Sequence, residues 1–120
     1  MYIYRKSVNQ IVDVTIDILR ITYYSKRMIK SFKNKDVRKL YEQGVCSARL
    51  RPFRAVAERK LQILDSACSI NDLRVPPGNA LEKLAGDRKD QWSIRINKQY
   101  RLCFTYSRGN AYDIEIVDYH

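Results

Sequence analysis

The chain has 120 residues, of which 23 are Lys or Arg and 13 are Asp or Glu, giving a formal charge of +10. Hydrophobic residues make up 45% and aromatics 11%, enough for one ordered core at this length, which excludes a disordered chain and argues against several domains. The most apolar stretch, 11–21, is broken by Asp13, Asp17 and Arg20, well short of the roughly 20 apolar residues of a bilayer span, so no membrane association is expected.

Residues 1–27 open the chain with Val12, Val14, Ile16 and Ile18 alternating with Asp13, Thr15 and Asp17, a period-2 strand pattern. They lack the continuous apolar region and small-residue cleavage site of a signal peptide. The sequence restarts at Met28 as MIKSF, which reads as a short edge strand. The expected organisation is therefore an N-terminal extension at 1–27, arising from an upstream start, and a working domain at 28–120.

From Asn34, an N-cap type, Val37, Leu40 and Tyr41 recur at helical spacing until Gly44 stops the segment. A longer helix follows Pro52, with Phe53, Val56, Ala57, Leu61, Leu64 and Ala67 on one stripe and Arg54, Glu58, Arg59 and Lys60 mostly off it. Residues 69–90 contain Pro76-Pro77-Gly78-Asn79 and Gly86-Asp87 and read as a long structured loop, a type that is usually functional. Trp92, Ile94 and Ile96, then Leu102, Phe104 and Tyr106, then Tyr112, Ile114 and Ile116 each alternate with polar neighbours, with Ser107-Arg108-Gly109-Asn110 as the second turn. This predicts an α+β fold in which two N-terminal helices pack on one face of a mainly antiparallel sheet ending in a three-strand meander, leaving the other face open.

Cys46, Cys68 and Cys103 are odd in number and form no CxxC pair, which argues against a disulfide framework and a zinc site and fits a reducing cytoplasm. Each is expected to be a small, semi-buried hydrophobe. His120 is the single histidine, so a zinc hydrolase or a Ser-His-Asp triad has almost nothing to be built from, and neither metal nor cofactor is expected.

The net positive charge favours a polyanionic partner, RNA or DNA. Tyr100, Tyr106, Tyr112 and Tyr119 lie on or beside the meander, and one or two of them are expected to stack on bases. Arg95 and Arg101 occupy the polar registers of adjacent strands. Either they share a surface with Asn97 and Thr105, where a guanidinium fork binds phosphate, or they merely pair with Asp113 or Glu115. The chain closes Asp118-Tyr119-His120, with Asp118 and His120 expected on one face and Tyr119 on the other. A histidine there either moves protons near neutral pH or is an idle terminal residue.

MIKSF at 28–32, AERKLQILDSA at 57–67, RVPPGNALEKLAGDRKDQWSIRINKQYRLCFTY at 74–106 and EIVDYH at 115–120 together resemble the HigB-type toxins of bacterial type II toxin–antitoxin systems, a branch of the RelE superfamily. L-x-G-D-R, W-S-I-R-I-N, Y-R-L-C-F and the closing D-Y-H occur in order, which makes the resemblance specific. It implies a RelE-like fold and a ribosome-dependent, metal-independent messenger-RNA endonuclease that uses the 2′-hydroxyl as nucleophile. The implied partners are the ribosome, messenger RNA and a HigA-type helix-turn-helix antitoxin, with operator DNA reached only through the antitoxin complex.

By the same resemblance, Arg101 holds or stabilises the scissile phosphate, while Asp118, Tyr119 and His120 form the terminal catalytic motif, His120 being the favoured proton-transfer group. Glu82, Lys83, Arg88, Arg95 and Gln99 are the expected RNA-binding residues. Where some relatives carry a histidine before the Gly-Asp-Arg turn, this chain has Glu82, Lys83 and Ala85. Either Glu82 serves as a base and Lys83 as a phosphate contact, or that histidine is dispensable. The alternative function is a catalytically weak RNA-binding or antitoxin-partner protein acting in operon autoregulation.

Overall fold

The computed structural model describes residues 27–119; residues 1–26 and His120 lie outside them, and with them the strand expected around 12–18. Helix α1 spans Lys35–Gln43 and turns Val37 and Leu40 inward. It ends at Gly44, whose φ of +71° is the left-handed conformation that glycine adopts without a Cβ penalty. Asn34 sits at the N-cap position but does not cap with its side chain, contrary to expectation. Its Oδ1 accepts the Ile116 N–H at 2.8 Å instead, so the oxygen is committed to the neighbouring sheet rather than to the helix end.

Pro52 lies in a 3-10 turn, Arg51–Phe53, that leads into helix α2, Arg54–Ser66. Ala57, Leu61 and Leu64 are fully buried on its inner face. Lys60, expected off this stripe, is buried as well. It lies three residues after Ala57 and four before Leu64, so helical geometry puts it on the same side. Near the end of α2, buried Asp65 accepts the Ile29 N–H at 3.1 Å and the Tyr41 hydroxyl at 2.6 Å, and pairs with Arg27 at 3.5 Å. This carboxylate ties Arg27 and Ile29 to the two helices.

The loop at 69–90 is more structured than its sequence suggests. It holds 3-10 turns at Ile70–Arg74, Pro77–Asn79 and Gly86–Arg88, and a two-residue strand, β1, at Glu82–Lys83. Strands β2 (Gln91–Arg95), β3 (Tyr100–Ser107) and β4 (Asn110–Asp118) form the expected meander, and the antiparallel sheet runs β1-β2-β3-β4. Arg108 and Gly109 both have positive φ at the second turn, as a tight two-residue hairpin of the twist-compatible type requires. Beyond β4, the MIKSF segment is an interrupted parallel edge rather than a continuous strand, with bridges only at Ile29 to Ala111 and Phe32 to Ile114.

The interruption has a local cause. Cys103 opposes Glu115 but Thr105 opposes Tyr112, so β4 carries one extra residue, and Asp113 within this bulge has φ +55°. The Asp113 N–H is taken by the Ser31 hydroxyl at 2.9 Å. The bulge also reverses the expected facing of Tyr112. Ala111, paired with Tyr106, takes the core register with Ile114 and Ile116, while Tyr112 lies on the opposite face with Thr105.

One sheet face, carrying Ile94, Leu102, Phe104, Ile114 and Ile116, shares a core with Val37, Leu40, Leu61 and Leu64 from the helices. Removing that apolar surface from water supplies the main driving force for the fold. Among the described residues, no helix is long and apolar enough to cross a membrane.

Candidate active site

The face of the sheet turned away from the helices follows from strand register, since residues directly opposite in an antiparallel ladder project to the same side. Glu82, Ser93, Cys103 and Glu115 form one row across β1 to β4. Arg95, Arg101 and Val117 form the row beside it, and Gln91, Thr105 and Tyr112 lie on the far side of the first. The open face is thus strongly polar, although Ser93, Cys103 and Glu115 are themselves buried beneath longer side chains.

Arg101 dominates this surface. Its Nε donates to the Ser93 hydroxyl at 2.7 Å, and Nη2 donates to the Ala80 carbonyl. The Glu82 carboxylate stands 3.9 Å from Nη2, while Nη1 bonds none of the described residues. Only 13% of the side chain is exposed, so the guanidinium is held rather than free to sweep the surface. Tyr119 lies against it, with its ring centroid 5.7 Å from the guanidinium carbon, a cation–π distance.

Arg95 stands directly opposite Arg101. Like charges facing one another across strands destabilise a sheet, so this pair carries a cost that an opposite charge or solvent must offset. Neither arginine pairs with Asp113 or Glu115. Arg95 donates to the Asn97 carbonyl at 3.2 Å, and Glu115 is bound instead by Arg88 at 3.0 Å and Lys33 at 3.8 Å. The hydrogen bond from Arg88 to Glu115 raises the Arg88 pKa and keeps that guanidinium charged. Arg88 donates to Gln91 at 2.8 Å from the same nitrogen, Nη1, that binds Glu115, so this corner of its guanidinium is committed within the protein.

The remaining expected residues divide between the two sides. Lys83 opposes Trp92 and lies 5.3 Å from its ring centre, which places it on the helix side of the sheet, away from Glu82 and Arg101. Gln99 donates to Asp118 at 2.9 Å, joining the β2–β3 turn to the end of β4. Asp118 opposes Tyr100, which packs on the helix side, and Tyr119 lies beside Arg101, so these two terminal residues point to opposite faces as expected. Asp118, expected to act with Arg101, is however on the other side of the sheet from it, because adjacent strand positions alternate faces. His120, expected with Asp118, lies outside the described residues.

Asn97, expected on the common surface, instead uses its Oδ1 to accept the Gln99 and Tyr100 N–H groups and closes the turn. Of the four tyrosines near the meander, Tyr100 stacks on Phe53 at 4.5 Å and Tyr106 packs against the core. Tyr112 and Tyr119 are left on the open face. The cysteines differ more than expected: Cys46 is half-buried, Cys68 exposed and Cys103 buried. Burial pushes the Cys103 thiol up to about 11, so it stays protonated at neutral pH although it shares a face with the arginines.

Two elements that hold Arg101 were not singled out from the sequence. Ser93 reads as an ordinary polar residue of an alternating strand, yet it is fully buried. Ala80 contributes only a backbone carbonyl, for which a side-chain pattern carries no signal.

The chain matches a family model described as the RelE-like toxin of the type II toxin–antitoxin system HigB over residues 30–120. It is 45% identical over 86 residues to Toxin HigB-1 of Vibrio cholerae, covering 70% of this chain and 90% of that protein. It is also 37% identical over 93 residues to Endoribonuclease HigB of Proteus vulgaris, covering 78% of this chain and all of that protein. With an α+β fold, an open arginine-bearing sheet face and a match spanning nearly all the described residues, the chain belongs to the HigB-type, RelE-like toxins of type II toxin–antitoxin systems.

Proposed function

We propose that this protein is an endoribonuclease toxin that cleaves messenger RNA on the ribosome, with residues 28–120 as the working unit and 1–27 as an extension. The carrying observation is Arg101, locked by Ser93 and the Ala80 carbonyl, beside Tyr119 and opposite Arg95. A fixed guanidinium aimed at a phosphate stabilises the charge that grows on the phosphoryl oxygens, and it needs no reorganisation at the moment of reaction. The relative named Endoribonuclease HigB supports the same activity.

In this reading the RNA's own 2′-oxygen attacks the adjacent phosphorus and the 5′-oxygen leaves, giving a cyclic phosphate. The 2′-hydroxyl proton passes to a base and the leaving oxygen takes a proton from an acid. Glu82, the carboxylate nearest to Arg101 in the first row, and His120 are the proton-transfer candidates, whereas Asp118 opposes Tyr100 on the helix side of the sheet and is not placed to act directly on a phosphate held by Arg101. Tyr119 and Tyr112 offer ring faces to the bases, and Arg95 a second cation to the backbone. Arg88 shapes this surface through Glu115, and Gln99 braces the edge of it by tying the β2–β3 turn to Asp118 at the end of β4. Lys83, on the other side of the sheet, contacts RNA only where the strand wraps past β1. The ribosome supplies the alignment of the RNA, a HigA-type antitoxin neutralises the toxin, and operator DNA is reached through that complex in the cytoplasm.

The test is primer extension on a reporter messenger RNA, with and without ribosomes, comparing wild type with Arg101→Ala and a His120 deletion. Ribosome-dependent cuts that fade in both variants are expected. Arg101→Ala should slow cleavage about 100- to 1000-fold while RNA affinity changes little. Absence of cuts from the folded wild-type protein would favour an antitoxin partner without catalysis.

A further inference from the structure

The loop preceding β1 reaches Arg101 through a backbone atom, and that loop is tied to the helix layer by one buried polar pair. Asn79 is completely buried. Its side-chain amide donates to the carbonyls of Leu73 at 3.1 Å and Val75 at 3.2 Å, and its Oδ1 accepts a hydrogen bond from the Lys60 ammonium on α2. Lys60 is itself buried, and desolvation, followed by the charge of Arg59, lowers its pKa.

The residue after Asn79 is Ala80, which holds φ +45° and ψ +54° without being a glycine. Such a conformation persists only where its surroundings over-determine it. Here Asn79 clamps one side, and the Ala80 carbonyl is delivered to Arg101 Nη2 on the other. A buried lysine with a neutral amide as its acceptor is a poor choice for stability alone, because no carboxylate among the described residues pairs with the desolvated charge.

We propose that Lys60 and Asn79 are positioning residues for the reaction: their buried hydrogen bond sets the Ala80 carbonyl, and through it the orientation of the Arg101 guanidinium at the scissile phosphate. This rests on the catalytic reading of Arg101 and extends it to a side chain of the helix layer that cannot touch RNA. A small displacement of a transition-state group by a remote change costs up to about 100-fold in rate. The effect falls on the chemical step, because Arg95 and the rest of the basic surface remain to bind RNA.

The test uses the full chain with ribosomes and measures single-turnover cleavage and RNA affinity for Asn79→Ala and for Lys60→Met, each in the wild-type and the Arg101→Ala background. In the wild-type background each variant should lower the cleavage rate about 10- to 100-fold and change affinity less than about 2-fold. In the Arg101→Ala background the further loss should shrink to less than about 2-fold, because the residue acted on is gone. Equal losses in both backgrounds, or full activity in a folded variant, would overturn the positioning role. Wild-type cleavage by Arg101→Ala itself would instead overturn the catalytic reading on which it rests. Should Asn79→Ala fail to fold, Lys60→Met carries the same cycle with the α2 stem kept apolar.

Discussion

The two faces of one sheet make the central contrast in this protein. Leu102 and Phe104 on β3 are fully buried against the helices, whereas Arg101, one residue earlier, holds a cation beside Tyr119 on the other side. The covered face is made of interchangeable apolar volume, and its work is to keep water out. The open face is polar, and directed hydrogen bonds from Arg101 to Ser93 and the Ala80 carbonyl fix the Arg101 charge on it, which under the proposed function is where the phosphate is met. Alternation along a single strand thus separates stability from function at neighbouring positions.

Substitutions on either face can break this separation. The largest effect is expected from Phe104→Ala, which should lower stability by about 3–5 kcal/mol through lost burial and a cavity, read as a fall in the denaturant midpoint. Its residual folded fraction should still cleave RNA. Arg101→Ala comes next and should cut the cleavage rate about 100- to 1000-fold while costing only about 1–3 kcal/mol of stability, from the Ser93 hydroxyl left unpaired, so that the folded protein remains but does not cleave. If Arg101→Ala unfolds the protein, the two faces are not separable and the contrast fails.

A smaller effect sharpens the account of the open face. Arg95→Ala should weaken RNA binding several-fold and lower the slope of log affinity against log salt by about 1, as loss of one phosphate contact requires. A salt slope identical to wild type would place Arg95 outside the RNA path.

The smallest expected effect lies at the helix end. Burial pushes the Asp36 carboxyl up, but hydrogen bonds from Arg49 and Ser47 and the Arg49 charge outweigh it and hold it below the usual carboxylate range. A carboxyl with a lowered folded-state pKa contributes stability that is present above the ordinary value of about 4 and is lost as the pH falls through the folded value. Asp36→Asn should therefore cost less than about 1 kcal/mol at neutral pH, since the pair is partly exposed, and should flatten the decline in melting temperature below about pH 4. An unchanged acid limb would remove Asp36 from the account.

The sequence by itself determined the elements whose cause is local. Gly44 ends α1 because a left-handed residue is needed there, Arg108-Gly109 turns β3 into β4, and alternation from Trp92 to Ile116 marks the meander. It also made Arg101 and Arg95 candidates through their polar register. Tertiary structure decided what depends on partners far away in the chain. The bulge at Asp113 turned Tyr112 to the open face and brought Ala111 into the core, because pairing with β3 and with Ser31 settles where the extra residue sits. Lys83 went to the Trp92 side because β1 pairs in a register that two residues cannot announce. The hold on Arg101 combines Ser93, a backbone carbonyl at Ala80 and a loop tied to α2 by Lys60, an arrangement that exists only once helix, loop and strand are packed together.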